Sequence, residues 1–347
     1  MWKPFSALPN YLGGKRRIIP EIFGEIAKIH SSRTWPDLTL IDAFMGGGAV
    51  SLYAKAQGFK VLANDLAWRC YLVGKGIIEN SRQKLTDLDL GLLFVERDGY
   101  ERFVETHYVP HTFSLSQAQF LDRALANLRE AELEETHEAL LYTALIRYVL
   151  MVRIAGQMTN RAWSTNMAAG KFDHITEGQL RSGYAKTYWE PAPVKMRRIQ
   201  RYINDAIFAG NAAIFQDDAL TWMPEHQADI VYLDPPYFGS SSYEANYYPL
   251  DCILAGKMLP RYQHSPFNRR ETAWHSLIEM FMAVEHIPVW VFSFADNPGG
   301  FSQAQLCDLI SQFDREARVV PLRHRWSIAT EVDHYEAGTK ELLIVCT

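Results

Sequence analysis

The chain has 347 residues, 48% of them hydrophobic, and a formal net charge of −5 at pH 7. Such an apolar fraction supports a sizeable core and excludes a disordered chain, and the length suits one large α/β domain or a core domain carrying an insertion. No apolar run approaches the ~18–20 residues of a membrane span, and the N-terminal Met1 to Arg17 lacks the basic-then-apolar order of a signal peptide, so a cytoplasmic location is expected.

In chain order, the first feature is Asn10-Tyr-Leu-Gly-Gly-Lys-Arg-Arg17. Lys15 as a point charge, with the backbone amides of the glycine turn, can hold a carboxylate; taken alone, a basic turn also reads as solvated surface. Leu38 to Asp42 is then a short apolar strand ending in an acid, followed by the glycine-rich Phe44-Met-Gly-Gly-Gly48, a helical run from Ala49 to Gln57, and a second strand, Lys60 to Ala63, ending at Asn64-Asp65. A strand, glycine turn, helix, strand unit implies a parallel sheet. Glycines there let a ligand approach the backbone, but the spacing is not Gly-x-Gly-x-x-Gly and specifies no dinucleotide. Asp42 or Asp65 alone reads as a helix-capping acid; together at strand ends they favour a nucleoside site, with Asp65 accepting from ribose hydroxyls.

From about Cys70 to Ile203 the pattern is helical: an acidic helix over Ala131 to Ala139 leads into the apolar Leu140 to Ile154, a polar stretch runs from Gly156 to Tyr188, and a basic helix spans Lys195 to Arg201. This block reads as an inserted, mainly helical subdomain over 81–204, with a core domain built from 1–80 and 205–347. Strand signals return at Ala213 to Gln216, Asp229 to Leu233, Pro288 to Ser293, Arg318 to Leu322 and Glu341 to Cys346. The scattered Cys70, Cys252, Cys307 and Cys346 form no metal-ligand spacing and read as reduced thiols, so no metal is expected.

Asp234-Pro-Pro-Tyr237 closes the Asp229 to Leu233 strand, where open α/β sheets bind ligands. Pro235 and Pro236 fix φ and give up two amide donors, leaving carbonyl acceptors beside the Asp234 carboxylate, and Tyr237 offers a flat face. Acceptors next to a stacking ring suit a planar amine. A proline-turn strand terminator is the competing reading.

With Tyr11-Leu-Gly-Gly-Lys15, Asp42-Ala-Phe-Met-Gly-Gly-Gly48, Asn64-Asp65 and Asp234-Pro-Pro-Tyr237 in this order, the chain resembles the Dam-type, S-adenosylmethionine-dependent DNA adenine N6-methyltransferases over roughly residues 8–80 and 205–347. The resemblance implies a Rossmann-like α/β fold, mostly parallel with an antiparallel strand, in a prokaryotic or phage-encoded enzyme. It further implies that Tyr11, Gly14 and Lys15 hold the methionine part of S-adenosylmethionine, and that Asp42 and the loop with Phe44, Gly46 and Gly48 pass beneath it. Asp65 would bind the ribose, Asp218 (or Asp217) would lie near the cofactor adenine, and Asp234, also bordering the cofactor, would with the Pro235 carbonyl accept from the target amine while Tyr237 stacks on a flipped base. Lys340-Glu-Leu-Leu343 resembles the family's last strand.

The partner expected from this is double-stranded DNA, with a restriction endonuclease as a companion. Between Arg147 and Arg201, ten Lys and Arg face three acids, a local charge of +7, which makes this stretch the expected DNA contact. Its candidates are Arg153, Asn160, Arg161, Lys171, Lys186, Arg197 and Arg198, joined by Tyr243 and Asn246 from a loop expected over Ser240 to Tyr248. A solvated helical face is the alternative. No counterpart of the family's Arg-x-Asn recognition segment is found, so the target sequence is not read. Two other functions remain open: methylation of RNA or of a cytosine amine, and a non-catalytic DNA-binding subunit.

Overall fold

Short runs rich in Val, Ile, Leu and Phe can be buried on both faces, which is what strands of a covered parallel sheet require. The computed structural model describes residues 2–109, 112–152, 190–236, 243–260, 263–296, 300–322 and 340–347. Among these, β1 (Thr39–Asp42), β2 (Lys60–Asn64), β3 (Asn211–Phe215), β4 (Ile230–Leu233), β5 (Val289–Asp296), β6 (Ala317–Leu322) and β7 (Lys340–Cys346) form one sheet in the order β3-β2-β1-β4-β5-β7-β6. β3 to β5 along that order pair in parallel, and β7 runs antiparallel to both β5 and β6.

Alternation along the strands divides the core in two. Leu40, Val61, Ile230, Tyr232, Val289, Val291, Leu343 and Val345 belong to one buried cluster. Their neighbours Ile41, Val231, Leu233, Trp290, Phe292, Ile344 and Cys346 belong to the other. The first face is covered by helices Ile19–Ile29, Ala49–Ala56, Trp68–Val73, Leu115–Glu130, Glu135–Val152, Ala192–Asn204 and Tyr243–Ala255, the second by Ala273–Ala283 and Gln303–Ser311. The layers are therefore helix, sheet, helix, and the sheet is the expected mostly parallel Rossmann-like one with a single reversed strand among the described residues. Helices from 81–204 contribute Leu121, Leu145, Val149, Ile199 and Ile203 to the same cluster as the strands.

Two local expectations change. The acidic segment is not one helix from Ala131: a Ser114–Gln117 capping box starts helix Leu115–Glu130, which ends before a break, and the next helix begins at Glu135. From Tyr243 onward the expected loop is helical, because Tyr247, Leu250 and Leu254 recur at helical spacing and are buried.

Chain direction places the site. β1 pairs β2 on one side and β4 on the other, so the strand order reverses between β1 and β4 and leaves a crevice at their carboxyl ends. Asp42 ends β1, and Asp234 follows the end of β4. Because β7 is antiparallel, its beginning rather than its end lies at this rim, with Glu341 level with Leu322 of β6 and Ala295 of β5.

Candidate active site

A cavity of about 810 Å³ opens at this crevice. Its lining draws on separated parts of the chain: 9–17, 42–50, 64–69, 217–220, 232–236 and 243–251, with 263–267 at the edge. Among the described lining residues seven carboxylates (Asp42, Asp65, Asp217, Asp218, Asp234, Glu244 and Asp251) outnumber four cations (Lys15, Arg16, Arg17 and Arg69), so the lining leans acidic and suits a ligand that carries positive charge.

The glycines are required by packing as well as by any ligand. Gly46 and Gly48 have φ of 53° and 76°. A Cβ on Gly46 would come within 3.0 Å of the Tyr11 ring, and one on Gly47 within 2.8 Å of the Tyr11 Cβ. The loop thus lies flat beneath Tyr11, whose ring stacks on Tyr247 (4.8 Å, 10°) and Tyr243 (5.9 Å, 24°). Tyr243 and Asn246 therefore stand in the cavity region on a helix rather than on the expected loop, with Asn246 buried. Arg69 ties this wall together: it donates to Asp251 at 2.6 Å and to the Tyr11 hydroxyl at 3.4 Å, and lies over the Tyr247 ring at 4.5 Å. Phe44 packs edge-on against Phe267 on the opposite side.

The acids differ in what they do. Asp65 accepts from the backbone N–H of Gly46 (2.7 Å) and of Ala67 (2.9 Å), so it shapes the glycine loop while keeping lone pairs for hydroxyl donors. Burial raises its pKa, and those hydrogen bonds and Arg69 hold the rise back. Asp42 is buried, and its Oδ2 accepts from Ser51 at 2.5 Å, while its Oδ1 has no hydrogen-bond partner among the described residues. Burial lifts its pKa to about 7; Ser51 opposes this, and Asp234 and Asp65 add to it. An orphaned buried acceptor at the edge of an acid-lined cavity is a fit for a cationic or N–H-bearing group. Asp218 caps the turn Ala219–Trp222 by accepting from Leu220, whereas the Asn64 side chain holds the Asp217 backbone from both sides, at 3.0 Å each. Both aspartates are exposed at the rim.

Lys15 is the centre of charge. Its Nζ lies 3.2 Å from Asp234 Oδ1 and 2.9 Å from Glu341 Oε1, with side-chain exposures of 5%, 17% and 0% respectively. Burial pulls the Lys15 pKa down, but Asp234 and Glu341 outweigh it and raise it above the ordinary value, so the ammonium persists. Lys15 thus meets the carboxylate of Asp234 directly, and Gly14 supplies the turn that aims it, with its N–H bonded to the Tyr11 carbonyl. Pro235 is buried and Pro236 lines the cavity. Tyr237 lies outside the described residues, as do Arg153, Asn160, Arg161, Lys171 and Lys186. Arg197 is exposed on helix Ala192–Asn204, and Arg198 is paired with Glu190.

Glu341, Arg69, Tyr247 and Asp251 were not singled out in the sequence. Glu341 carried a signal, being the lone acid opening an otherwise apolar strand, and Tyr243 and Tyr247 carry one in their i, i+4 spacing. Arg69 and Asp251 meet only through tertiary structure.

Comparison with known proteins fits this geometry. Over 347 aligned positions the chain is 24% identical to "Type II methyltransferase M2.HphI" of Haemophilus parahaemolyticus, covering 97% of this chain and 96% of that protein. It is 23% identical over 245 residues to "Type II methyltransferase M.NlaIII" of Neisseria lactamica, covering 70% and 68%. Residues 11–265 match the model of the D12 class N6 adenine-specific DNA methyltransferases, a span that begins at Tyr11 and contains Lys15, Asp42, Asp65 and Asp234. The chain belongs to the D12 class of N6 adenine-specific DNA methyltransferases.

Proposed function

We propose that the chain transfers the methyl group of S-adenosylmethionine to the exocyclic amine of one adenine swung out of duplex DNA. The observation that carries this reading is the acid-lined cavity in which the Tyr11 to Lys15 turn, the Asp42 to Gly48 loop, Asp65 and Asp234 converge. S-adenosylmethionine would fit there through Asp65 at its ribose, the orphaned acceptor of Asp42 at its charged end, and Asp217 or Asp218 near its adenine. When bound, it supplies an electrophilic methyl group on a sulfonium.

The amine of adenine is a poor nucleophile because its lone pair is delocalised into the ring. Asp234 and the Pro235 carbonyl would accept its two N–H bonds, which favours a tetrahedral nitrogen and localises the lone pair for in-line attack. The new N–C bond would form as the donor's S–CH3 bond breaks, its electron pair staying on sulfur as a neutral thioether; positive charge would grow on the nitrogen beside the Asp234 carboxylate, and the surplus proton would leave to solvent. Positioning and electrostatic stabilisation are thus the chain's contributions, and no separate general base is needed. Tyr237 would stack on the base and offset part of the few kcal/mol that flipping costs.

Residues 81–204 are proposed as the target-recognition part, with Arg153, Asn160, Arg161, Lys171, Lys186 and the exposed Arg197 as DNA contacts. The relatives' type II designation suggests a modification enzyme paired with a restriction endonuclease, acting in the cytoplasm where the DNA is.

Methyl transfer from labelled S-adenosylmethionine to duplex DNA, single-stranded DNA and RNA tests the reading. Labelled N6-methyladenine in duplex DNA is expected, and Asp234→Ala should cut turnover by at least about 10²–10³-fold while keeping DNA binding. Label confined to RNA or to cytosine would sink it.

A further inference from the structure

Glu341 lies beyond the matched span, which ends at residue 265, and no role attaches to it from the family match. It is nonetheless a fully buried carboxylate at the sheet rim, 2% exposed as a whole residue. Holding such a charge out of water is costly unless a partner compensates, and here the partner is the Lys15 ammonium at 2.9 Å. That same ammonium is 3.2 Å from Asp234. Three residues from the first, middle and last parts of the chain form one chain of charge, in the order Glu341, Lys15, Asp234.

We infer that Glu341 is a positioning residue for methyl transfer, which anchors Lys15 from the side away from the substrate and thereby fixes the rotation and charge of Asp234. The inference rests on the proposed role of Asp234 as acceptor for the target amine.

Lysine's long stem and three rotatable donors by themselves define no direction. A second carboxylate on the far side removes that freedom. With its ammonium shared, Lys15 engages Oδ1 of Asp234 without neutralising the carboxylate alone, and holding one oxygen orients the other. Two carboxylates and one ammonium also leave the trio with a net charge of −1, favourable beside a nitrogen that becomes cationic. β7 is the element that makes this feasible, because only a reversed strand brings its first residues to the rim where the parallel strands end.

The groups facing Lys15 are Asp234 after β4, Glu341 on β7 and Tyr243 on helix Tyr243–Ala255, with Asp42 of β1 behind Asp234. Removing the charge of Glu341 weakens the hold on the Lys15 proton. The raised Lys15 pKa keeps the wild type free of an alkaline limb from this group, whereas Glu341→Gln should turn down at a lower pH, as removal of a carboxylate that did not touch Lys15 would not.

The test is single-turnover methyl transfer to duplex DNA by the full chain, measured against pH for wild type, Glu341→Gln and Glu341→Asp, with thermal unfolding and DNA affinity followed in parallel. Glu341→Gln should lose about 10²-fold in rate at saturating DNA with little change in DNA affinity, and its alkaline limb should move to lower pH. Glu341→Asp, which keeps the charge, should restore the limb and part of the rate even where both variants are less stable. A wild-type rate and limb in Glu341→Gln, or equal impairment with the same limb in both variants, overturns the inference. A wild-type protein that transfers no methyl group to DNA overturns the proposed function, and this inference with it.

Discussion

Lys15 and Lys195 are both buried lysines, at 4% and 0% exposure, and their surroundings push them in opposite directions. Lys15 sits between two carboxylates at the sheet rim and its pKa is raised despite its burial. Lys195 sits in the helical layer, where its Nζ has no hydrogen-bond partner among the described residues; burial lowers its pKa to about 8, with Glu190 opposing this and Arg198 adding to it. Arg147 resembles Lys195: it donates to the Leu8 carbonyl, lies over the Tyr202 ring, and is lowered to about 9 by burial and by nearby Arg16. A buried cation among carboxylates belongs to a working site, whereas one among apolar side chains is a cost the core bears. The +7 of the Arg147 to Arg201 stretch therefore overstates the charge it can offer to DNA, since Arg147 and Lys195 face inward and Arg198 is engaged by Glu190.

Five substitutions can break or sharpen this contrast. Lys15→Met leaves the buried Glu341 and the half-buried Asp234 without the ammonium they share, so stability should fall by about 3 kcal/mol and methyl transfer should vanish. Urea unfolding reads the first, and a loss below 1 kcal/mol, itself only about a fivefold change in the folded ratio, would show that the pair is not held as described.

Asp42 gives the next largest effect. Its folded pKa of about 7 lies above the ordinary aspartate value of 3.8, so the folded chain binds the proton more tightly than the unfolded one. Stability from this group is full below the unfolded pKa and is lost as pH rises from about 4 to about 7, by no more than about 4 kcal/mol. Comparing thermal unfolding of the ligand-free wild type and Asp42→Asn at pH 5 and pH 8 isolates it. A wild type that loses no more stability than Asp42→Asn across that interval contradicts the assignment.

Lys195→Met should be neutral or stabilising by about 1 kcal/mol at pH 7 and leave DNA affinity alone. Because the folded pKa is depressed, the wild type should gain stability from this group as pH rises from about 8 to about 10.5, a gain the variant lacks. Weakened DNA binding in the variant would put Lys195 on the interface after all. Smallest is Arg197→Ala, expected to reduce the salt dependence of DNA binding by about one counterion, with Arg198→Ala changing it less because Glu190 already holds that charge. Equal slopes for the two variants would remove the distinction.

The strands were readable because each is a short apolar run bounded by polar turns, and the acids at the ends of β1, β2 and β4 were readable because a parallel sheet gathers strand ends at one rim. Lys195 was legible too, though easily misread: it shares the i, i+4, i+8 stripe with Ile199 and Ile203, so periodicity places it on the apolar face and its charge draws attention to the wrong side. Arg147, within the apolar Leu140 to Val152, gave the same warning. Glu341 could not be paired with Lys15 from sequence, because their meeting depends on the reversal of β7 and on the Tyr11 to Gly14 turn that carries Lys15 to the rim. Nor could the two roles of Asp65 be separated, since its hydrogen bond to Gly46 exists only once the glycine loop has folded back over β2.

The most direct test of the account is base-resolved sequencing of modified nucleotides in DNA from cells expressing the chain, beside cells expressing Asp234→Ala. The account predicts N6-methyladenine at one recurring sequence context with the wild-type chain and none with the variant. Methylation that persists in Asp234→Ala, or modification found only on cytosine, would contradict it.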